Sequence, residues 1–205
     1  MHNHFDDQAA TWDEDQSKIE RARTIADAIV ESLRLNGDER VLEYGAGTGL
    51  VAQALGEGVG ALTLADSSAG MRAAMTTKVE RGTLPAATRV WDLDLSTDEV
   101  PAGEAFDLIA SSLVLHHIGE LDRVLEGFWS LLRSGGSVAI ADLDREDGSF
   151  HEHLHDFDGH NGFDRDDLRS RLEAAGFVDV RFDDCGEVHK AGRSFGLFLA
   201  TARRP

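Results

Sequence analysis

The feature that most restricts the fold of this chain is a short apolar run that leads directly into a glycine-rich turn. Residues Val41–Gly49 read Val-Leu-Glu-Tyr-Gly-Ala-Gly-Thr-Gly, and a helical pattern begins at Leu50. Glycines are needed where a turn is tight and a ligand approaches the backbone closely, because a Cβ would occupy that space. The pattern therefore predicts a strand, a ligand-binding loop and a helix, the opening unit of an α/β fold with a parallel sheet.

Short apolar runs alternate with helical patterns along the rest of the chain, as expected for an α/β protein. The predicted strands are Arg40–Tyr44, Ala61–Asp66, Ala87–Leu93, Phe106–Ser111, Ser137–Leu143, Val178–Asp183 and Ser194–Ala202. The predicted helices are Asp15–Leu35, Leu50–Leu55, Ser68–Arg81, Leu121–Leu132 and Asp164–Ala175. A polar loop joins the last two strands without a helix, so we expect them to pair antiparallel. The predicted fold is a Rossmann-like, doubly wound seven-stranded sheet, mostly parallel with a C-terminal antiparallel hairpin and helices on both faces.

Composition and charge exclude several classes of protein. The chain has 205 residues, of which 41% are hydrophobic, enough for one domain with a two-sided core. Its apolar runs are far shorter than a membrane helix needs, and its polar, acidic N-terminus differs from a secretory signal. The single cysteine, Cys185, excludes an intramolecular disulfide and a cysteine-based zinc cluster. We therefore expect a soluble, cytoplasmic protein with no membrane partner.

The net charge of −18 argues against a nucleic-acid partner, because a field of that sign repels phosphate backbones. Self-repulsion also disfavours tight self-association, so we expect a monomer or a weak dimer.

Two carboxylates indicate which ligand the glycine loop takes. Asp66 ends the second predicted strand, where a carboxylate can accept hydrogen bonds from both ribose hydroxyls. The third glycine comes one residue earlier than in the dinucleotide fingerprint Gly-x-Gly-x-x-Gly. Glu43, just before the loop, disfavours a diphosphate and suits a ligand that carries an ammonium group. S-adenosylmethionine has an adenosine, a sulfonium and an amino-acid end, and no phosphate.

These segments together resemble the class I S-adenosylmethionine-dependent methyltransferases, and within them the small-molecule branch similar to the UbiE-type quinone methyltransferases. The residues that carry the resemblance are Val41–Gly49, Asp66–Met71, Trp91–Leu93, Phe106–Ile118 and Leu131–Gly136. The resemblance implies S-adenosylmethionine as the cofactor and a small-molecule methyl acceptor. It also implies one methyltransferase domain over residues 1–205: an N-terminal lid and helix (1–36), a donor-binding core (37–143), and an acceptor-side loop, helix and closing hairpin (144–205).

The resemblance further implies a role for each residue of the donor site. The methionine part is expected to contact Glu43, Gly45, Ala46, Gly47 and Gly49. Asp66 is expected to hold the ribose, with Ser67 and Met71 at the adenine and ribose edge. The remaining contacts are Asp92 to the adenine amino group, the Leu93 amide to the adenine, and Ser111 beneath the transferred methyl group. Tyr44 departs from the small or aliphatic residue common in the family, and we expect it to pack against a helix.

Methyl transfer from a sulfonium is an in-line displacement that needs an aligned acceptor and a base for its proton. Histidine suits that base because its pKa lies near neutrality. The candidates are His116 and His117 after the fourth strand, and His160 after the fifth. The segment Phe5–Asp15 with Trp12 is expected either to cover the site as a lid or to pack on the first helix.

Three alternatives accompany this prediction. His151 and His155 have the spacing of two metal ligands on one helix face, near Asp142 and Asp144. We expect those carboxylates to cap or solvate the loop, and we predict no metal site. A protein that binds S-adenosylmethionine without catalysis is a second alternative. The third, a nicotinamide-dependent reductase, would need a Tyr-x-x-x-Lys motif, whereas the only tyrosine is Tyr44 within the loop segment.

Overall fold

The computed structural model describes residues 5–152 and 157–205. A 3-10 helix, Ala9–Glu14, precedes five α-helices: α1 Gln16–Leu33, α2 Leu50–Leu55, α3 Ala69–Glu80, α4 Leu121–Leu131 and α5 Arg165–Ala174. The strands are β1 Val41–Tyr44, β2 Leu62–Ala65, β3 Arg89–Trp91, β4 Phe106–Ser112, β5 Leu132–Leu143, β6 Val178–Lys190 and β7 Arg193–Arg203. Each predicted helix and strand is present, with ends shifted mostly by one or two residues.

The seven strands form one sheet in the order β3-β2-β1-β4-β5-β7-β6. The five strands β1 to β5 pair parallel with one another. Strand β7 pairs antiparallel with β5 on one side and with β6 on the other. The order reverses at β1, so the carboxyl ends of β1 and β4 border a crevice where ligands bind in open α/β sheets. The predicted fold, including the antiparallel C-terminal pair, is confirmed.

Alternate residues of the buried strands pack into two separate hydrophobic cores, one on each face of the sheet. On one face Ile25 and Ile29 of α1 pack with Val41 and Leu64. On the other face Phe128 of α4 packs with Leu42, Ile109 and other β-strand side chains. Helices cover both faces because successive strand residues point to opposite sides. Within the described ranges, no helix is long and apolar enough to cross a bilayer.

The C-terminal hairpin differs from its sequence prediction. The polar segment between Asp183 and Ser194 was expected to be a loop, but β6 and β7 continue through it to a two-residue turn at Ala191 and Gly192. Both turn residues have positive φ, which matches the twist of a tight hairpin. Cys185, Val188 and Phe195 supply the inward side chains that stabilise this extension, although the residues between them are polar.

The start of β5 also departs from the expected boundary. The predicted helix Leu121–Leu132 and the predicted strand Ser137–Leu143 leave a gap between them. Instead β5 begins at Leu132, directly after α4, and its pairing with β4 shifts register between Phe106 and Leu108. Gly135 lies within this irregular strand start, at φ +82°.

Candidate active site

The glycine loop at the end of β1 is shaped by three positions that favour glycine. Gly45, Gly47 and Gly49 have φ angles of +67°, +58° and +79°, a region that L side chains rarely adopt. A Cβ at Gly45 would lie 2.4 Å from a methyl carbon of Val114. The Gly47 amide donates a 2.8 Å hydrogen bond to the Asp66 carboxylate. The loop after β1 and the carboxylate after β2 therefore form one unit.

Glu43 is a buried carboxyl group behind this loop. It is 3% exposed, and its Oε2 accepts a 2.9 Å hydrogen bond from the Ala52 amide of α2. Burial raises the pKa of Glu43 to about 8, because desolvation outweighs the lowering effect of that hydrogen bond. A cationic ligand group beside Glu43 would favour its ionised form.

Asp66 is held by backbone donors on both sides. Its Oδ2 accepts from the Gly47 amide, and its Oδ1 accepts a 2.8 Å hydrogen bond from the Ser68 amide. Burial raises the pKa of Asp66, and the two backbone hydrogen bonds oppose that shift. Each carboxylate oxygen has two lone pairs, so both oxygens keep a position that can accept from a ribose hydroxyl.

A cavity of about 800 Å³ lies against this loop and the ends of the central strands. Sites for small molecules typically measure about 300–1,000 Å³, so a nucleoside and a small acceptor can fit together. Its wall includes most residues expected to bind the donor: Glu43, Gly45, Ala46, Gly47, Asp66, Ser67, Met71 and Leu93.

Three residues expected to contact the donor lie outside the cavity wall. Gly49 caps α2, and a Cβ there would meet Leu64 at 3.1 Å. The Asp92 side chain is 70% exposed and pairs with Arg72 at 2.9 Å. Ser111 is buried in the sheet, and its neighbour Ser112 lines the cavity in its place. Direct contacts of these three residues with the donor stay predictions.

The N-terminal segment covers the cavity. Phe5 and Trp12 both line it, with ring centroids 6.1 Å apart in an edge-to-face arrangement. Asp6 accepts a 2.9 Å hydrogen bond from the Gly70 amide, and Asp13 forms a 2.6 Å ion pair with Lys78. These contacts fasten the segment to α3, beside the predicted donor-binding residues.

Tyr44 packs as expected from the sequence. Its ring meets Phe128 of α4 edge-to-face, with centroids 5.1 Å apart. Its hydroxyl accepts a 3.1 Å hydrogen bond from the Leu95 amide, and burial raises the pKa of Tyr44. The side chain therefore contributes to packing and to the loop after β3.

Three histidines converge in the wall of the same cavity. His116, His117 and His151 each place one ring nitrogen within 4.8 Å of the others. His116 and His151 are buried, and His117 is half-buried. Burial, together with the nearby His116 and His151, lowers the pKa of His117 to about 3. His117 is therefore neutral at physiological pH.

His116 forms a buried dyad with Asp142. Its Nδ1 lies 2.5 Å from Asp142 Oδ1, and both side chains are almost fully excluded from solvent. The Asp142 carboxylate also accepts hydrogen bonds from the amides of Leu115 and Leu143. A carboxylate surrounded by donors accepts a hydrogen bond from Nδ1–H, so Nε2 of His116 is the nitrogen with a lone pair.

The other candidate histidines are placed differently. Nε2 of His160 lies 3.0 Å from the Ile118 carbonyl oxygen, and His160 does not line the cavity. This geometry favours a structural role for its ring over a role as base. His155 lies outside the described residues, and Asp144 forms a two-point ion pair with Arg165 at 2.7 and 2.8 Å.

Comparison with known proteins identifies the family. A family model described as a methyltransferase domain matches residues 17–181 of the chain. The chain belongs to this methyltransferase family. The resemblance to class I S-adenosylmethionine-dependent methyltransferases is thereby confirmed, and the cavity residues fit S-adenosylmethionine as the family's cofactor.

The similarity to an individual relative covers only part of the chain. The biotin biosynthesis bifunctional protein BioCD of Bordetella avium is 36% identical over 131 residues, which cover 60% of this chain and 26% of that protein. The chain thus spans about a quarter of the length of this relative.

Solved structures share the fold of this methyltransferase at lower identity. One is the Haloferax volcanii complex of the Trm112 methyltransferase activator with a methyltransferase, at 18% identity and TM-score 0.80, covering 100% of this chain and 99% of that one. Another is Haemonchus contortus phosphoethanolamine N-methyltransferase 2 with S-adenosyl-L-methionine, at 17% identity and TM-score 0.71 over 88% and 52% of the two chains.

Sequence reasoning missed two features of this methyltransferase site. It assigned Asp142 to capping or solvation, although Asp142 is the partner of His116. It also treated His151 as part of a pair with His155, whereas His151 joins His116 and His117. The sequence indicates that these segments leave neighbouring strands, but only the register of β4 against β5 shows that His116 meets Asp142.

Proposed function

We propose that this chain transfers the methyl group of S-adenosylmethionine to a small-molecule acceptor by in-line displacement. One observation carries the proposal: a single cavity has the glycine loop and Asp66 in its wall, together with His116, His117 and His151. The lid residues Phe5 and Trp12 line the same cavity. An arrangement of this kind places an acceptor beside the donor and excludes water.

S-adenosylmethionine supplies an activated methyl group on a sulfonium, so the protein has two main tasks. The first is to hold donor and acceptor in line, which can contribute about 7–11 kcal/mol in favourable cases. The second is to accept the proton of the acceptor. His116 suits that task because Asp142 holds its Nδ1–H and leaves Nε2 as the basic nitrogen. Asp142 acts through His116 and is a positioning residue.

The proposal is tested by measuring S-adenosylhomocysteine release from S-adenosylmethionine with panels of phenols, thiols, carboxylic acids and amines. RNA, DNA and protein preparations serve as comparison acceptors, and S-adenosylmethionine binding is measured on the same samples. We expect turnover with one class of small molecule, and its loss in Asp66→Ala. Turnover confined to nucleic acid or protein acceptors would contradict the proposal. Donor binding without turnover on any acceptor would favour the alternative of a non-catalytic S-adenosylmethionine-binding protein.

We further propose that the chain is a monomer or a weak dimer, because its net charge of −18 opposes close self-association. Light scattering after gel filtration at low and high salt measures this directly. The Haloferax volcanii neighbour is described in complex with Trm112, so turnover is compared with and without an activator of that type. A stable dimer at low salt would contradict the proposed oligomeric state.

A further inference from the structure

The three clustered histidines bring together more imidazole nitrogens than the methyl-transfer mechanism requires. A single imidazole is enough to accept one proton, yet His116, His117 and His151 come from two separate loops and meet within 4.8 Å. His116 and His117 follow β4, and His151 follows β5. We propose that these three histidines bind one divalent transition-metal cation of the zinc class at the acceptor end of the cavity.

The ligand chemistry favours this class of cation. Three imidazoles with an open fourth position form the ligand set of catalytic zinc sites, with Zn–N distances of about 2.0–2.1 Å. Imidazole nitrogens suit zinc, cobalt, nickel, copper and iron, whereas magnesium and calcium prefer oxygen ligands. Tetrahedral coordination requires nitrogens about 3.3 Å apart. The candidate ligand nitrogens lie within 4.8 Å of one another, so metal binding requires the rings to move closer together.

The groups behind the ligands support the same assignment. Metal-binding histidines commonly donate their second N–H to a carboxylate, which fixes the tautomer and makes the ligand more basic. Asp142 has this position behind His116, at 2.5 Å from Nδ1. Phe157 stacks on His151 with centroids 3.9 Å apart, and Phe5 meets His117 edge-on at 5.4 Å. The rings are thus oriented by neighbours that also exclude water.

A cation here deepens the proposed function, and the inference rests on that function for its catalytic meaning. All three histidines line the cavity, so the open position faces the space for the acceptor. A bound cation lowers the pKa of a coordinated hydroxyl or thiol, and the released proton passes to solvent. The acceptor atom then forms its bond to the methyl carbon as the S–CH₃ bond breaks and its electron pair passes to sulfur. In the metal-loaded protein, this effect replaces proton removal by free His116.

The test is a Co²⁺ titration of the chelator-treated full chain, monitored by the visible absorption bands of tetrahedral Co²⁺, followed by displacement with Zn²⁺. His2 and His4, which lie outside the described residues, are replaced by Ala in every sample to remove a terminal chelate. We expect one equivalent to bind, and His117→Ala and His151→Ala to abolish the bands. Asp142→Asn is expected to weaken affinity by about 10–100-fold.

Two histidine variants serve as matched controls. His189→Ala removes an exposed histidine that pairs with Glu187. His155→Ala removes the histidine four positions after His151, with which the sequence alone would have paired it. Both are expected to keep full Co²⁺ binding. The proposal would be overturned if the wild type showed no saturable Co²⁺ binding. It would also be overturned if His155→Ala abolished Co²⁺ binding while His117→Ala kept it. S-adenosylhomocysteine affinity is measured without metal on the same samples, so a failed donor site and a failed metal site are distinguished.

Discussion

Replacement of His116 by Gln is expected to reduce turnover by about 10²–10⁴-fold, with S-adenosylhomocysteine affinity changed only a few-fold. The reason is that Nδ1–H of His116 donates its hydrogen bond to Asp142, which leaves Nε2 as the basic nitrogen. Glutamine is close in size and cannot accept a proton at neutral pH. The measurement is steady-state release of S-adenosylhomocysteine, with calorimetric binding of the same compound as the check on folding.

Two further variants separate the role of His116 from general damage to the site. Asp142→Asn should reduce turnover and change its pH profile, because the His116 tautomer is then no longer fixed. His160→Gln should lose less than about tenfold, since its ring nitrogen lies against the Ile118 carbonyl and away from the cavity. A large loss for His160→Gln with little effect of His116→Gln would reverse the assignment of the base.

Binding of S-adenosylhomocysteine is expected to strengthen as the pH rises to about 8 and to weaken only in more alkaline solution. Below pH 8 the unliganded protein holds a proton on Glu43, whose pKa is raised to about 8, and binding of an ammonium group must release it. In more alkaline solution the amino group of the ligand loses its own proton, since the α-amino group of a free amino acid titrates above the range of a peptide N-terminus. Affinity therefore rises by up to about tenfold per pH unit on the acid side.

Glu43→Gln is the matched variant for this prediction. It should weaken binding at pH 8 by about 10-fold or more, as expected for loss of a charged hydrogen-bonding partner, and should remove the acid limb of the profile. Titrations at pH 6, 7, 8 and 9, in buffers of different ionisation enthalpy, measure both affinity and protons released. An unchanged acid limb in Glu43→Gln would place the ligand ammonium away from Glu43.

The same raised pKa sets the sign of a stability change. Between about pH 4.5 and pH 8 the native protein retains a proton on Glu43 that the unfolded chain has lost. The contribution of Glu43 to the free energy of unfolding therefore falls as pH rises through that window, and Glu43→Gln removes this fall.

Most of the fold could be predicted because the alternation of short apolar runs with helical patterns is a local signal. The hairpin after Asp183 could not, because its polar composition conceals the alternation of Cys185, Val188 and Phe195. The extended part of β6 is stabilised by pairing with β7, in which Val188 is opposite Phe195 and Lys190 is opposite Arg193.

The loop and carboxylate in one part of the cavity wall could also be predicted, since the glycine loop and Asp66 are fixed by a single β-α-β unit. The rest of the cavity wall could not be predicted in the same way. Its residues come from the N-terminal segment, the loop after β4 and the loop after β5, and the sheet order brings the two loops together. The dyad of His116 and Asp142 spans 26 residues and follows from the parallel pairing of β4 with β5.

The most direct test of the central claim is calorimetric titration with S-adenosylmethionine, S-adenosylhomocysteine, NADH and NADPH in parallel, on the wild type and on Asp66→Ala. We expect saturable binding of the first two compounds, weakened about 100-fold or more in Asp66→Ala because two hydrogen bonds to a charged acceptor are lost. Thermal unfolding of the variant checks that it is folded. Binding of only the nicotinamide nucleotides, or equal donor affinity in Asp66→Ala, would contradict the account.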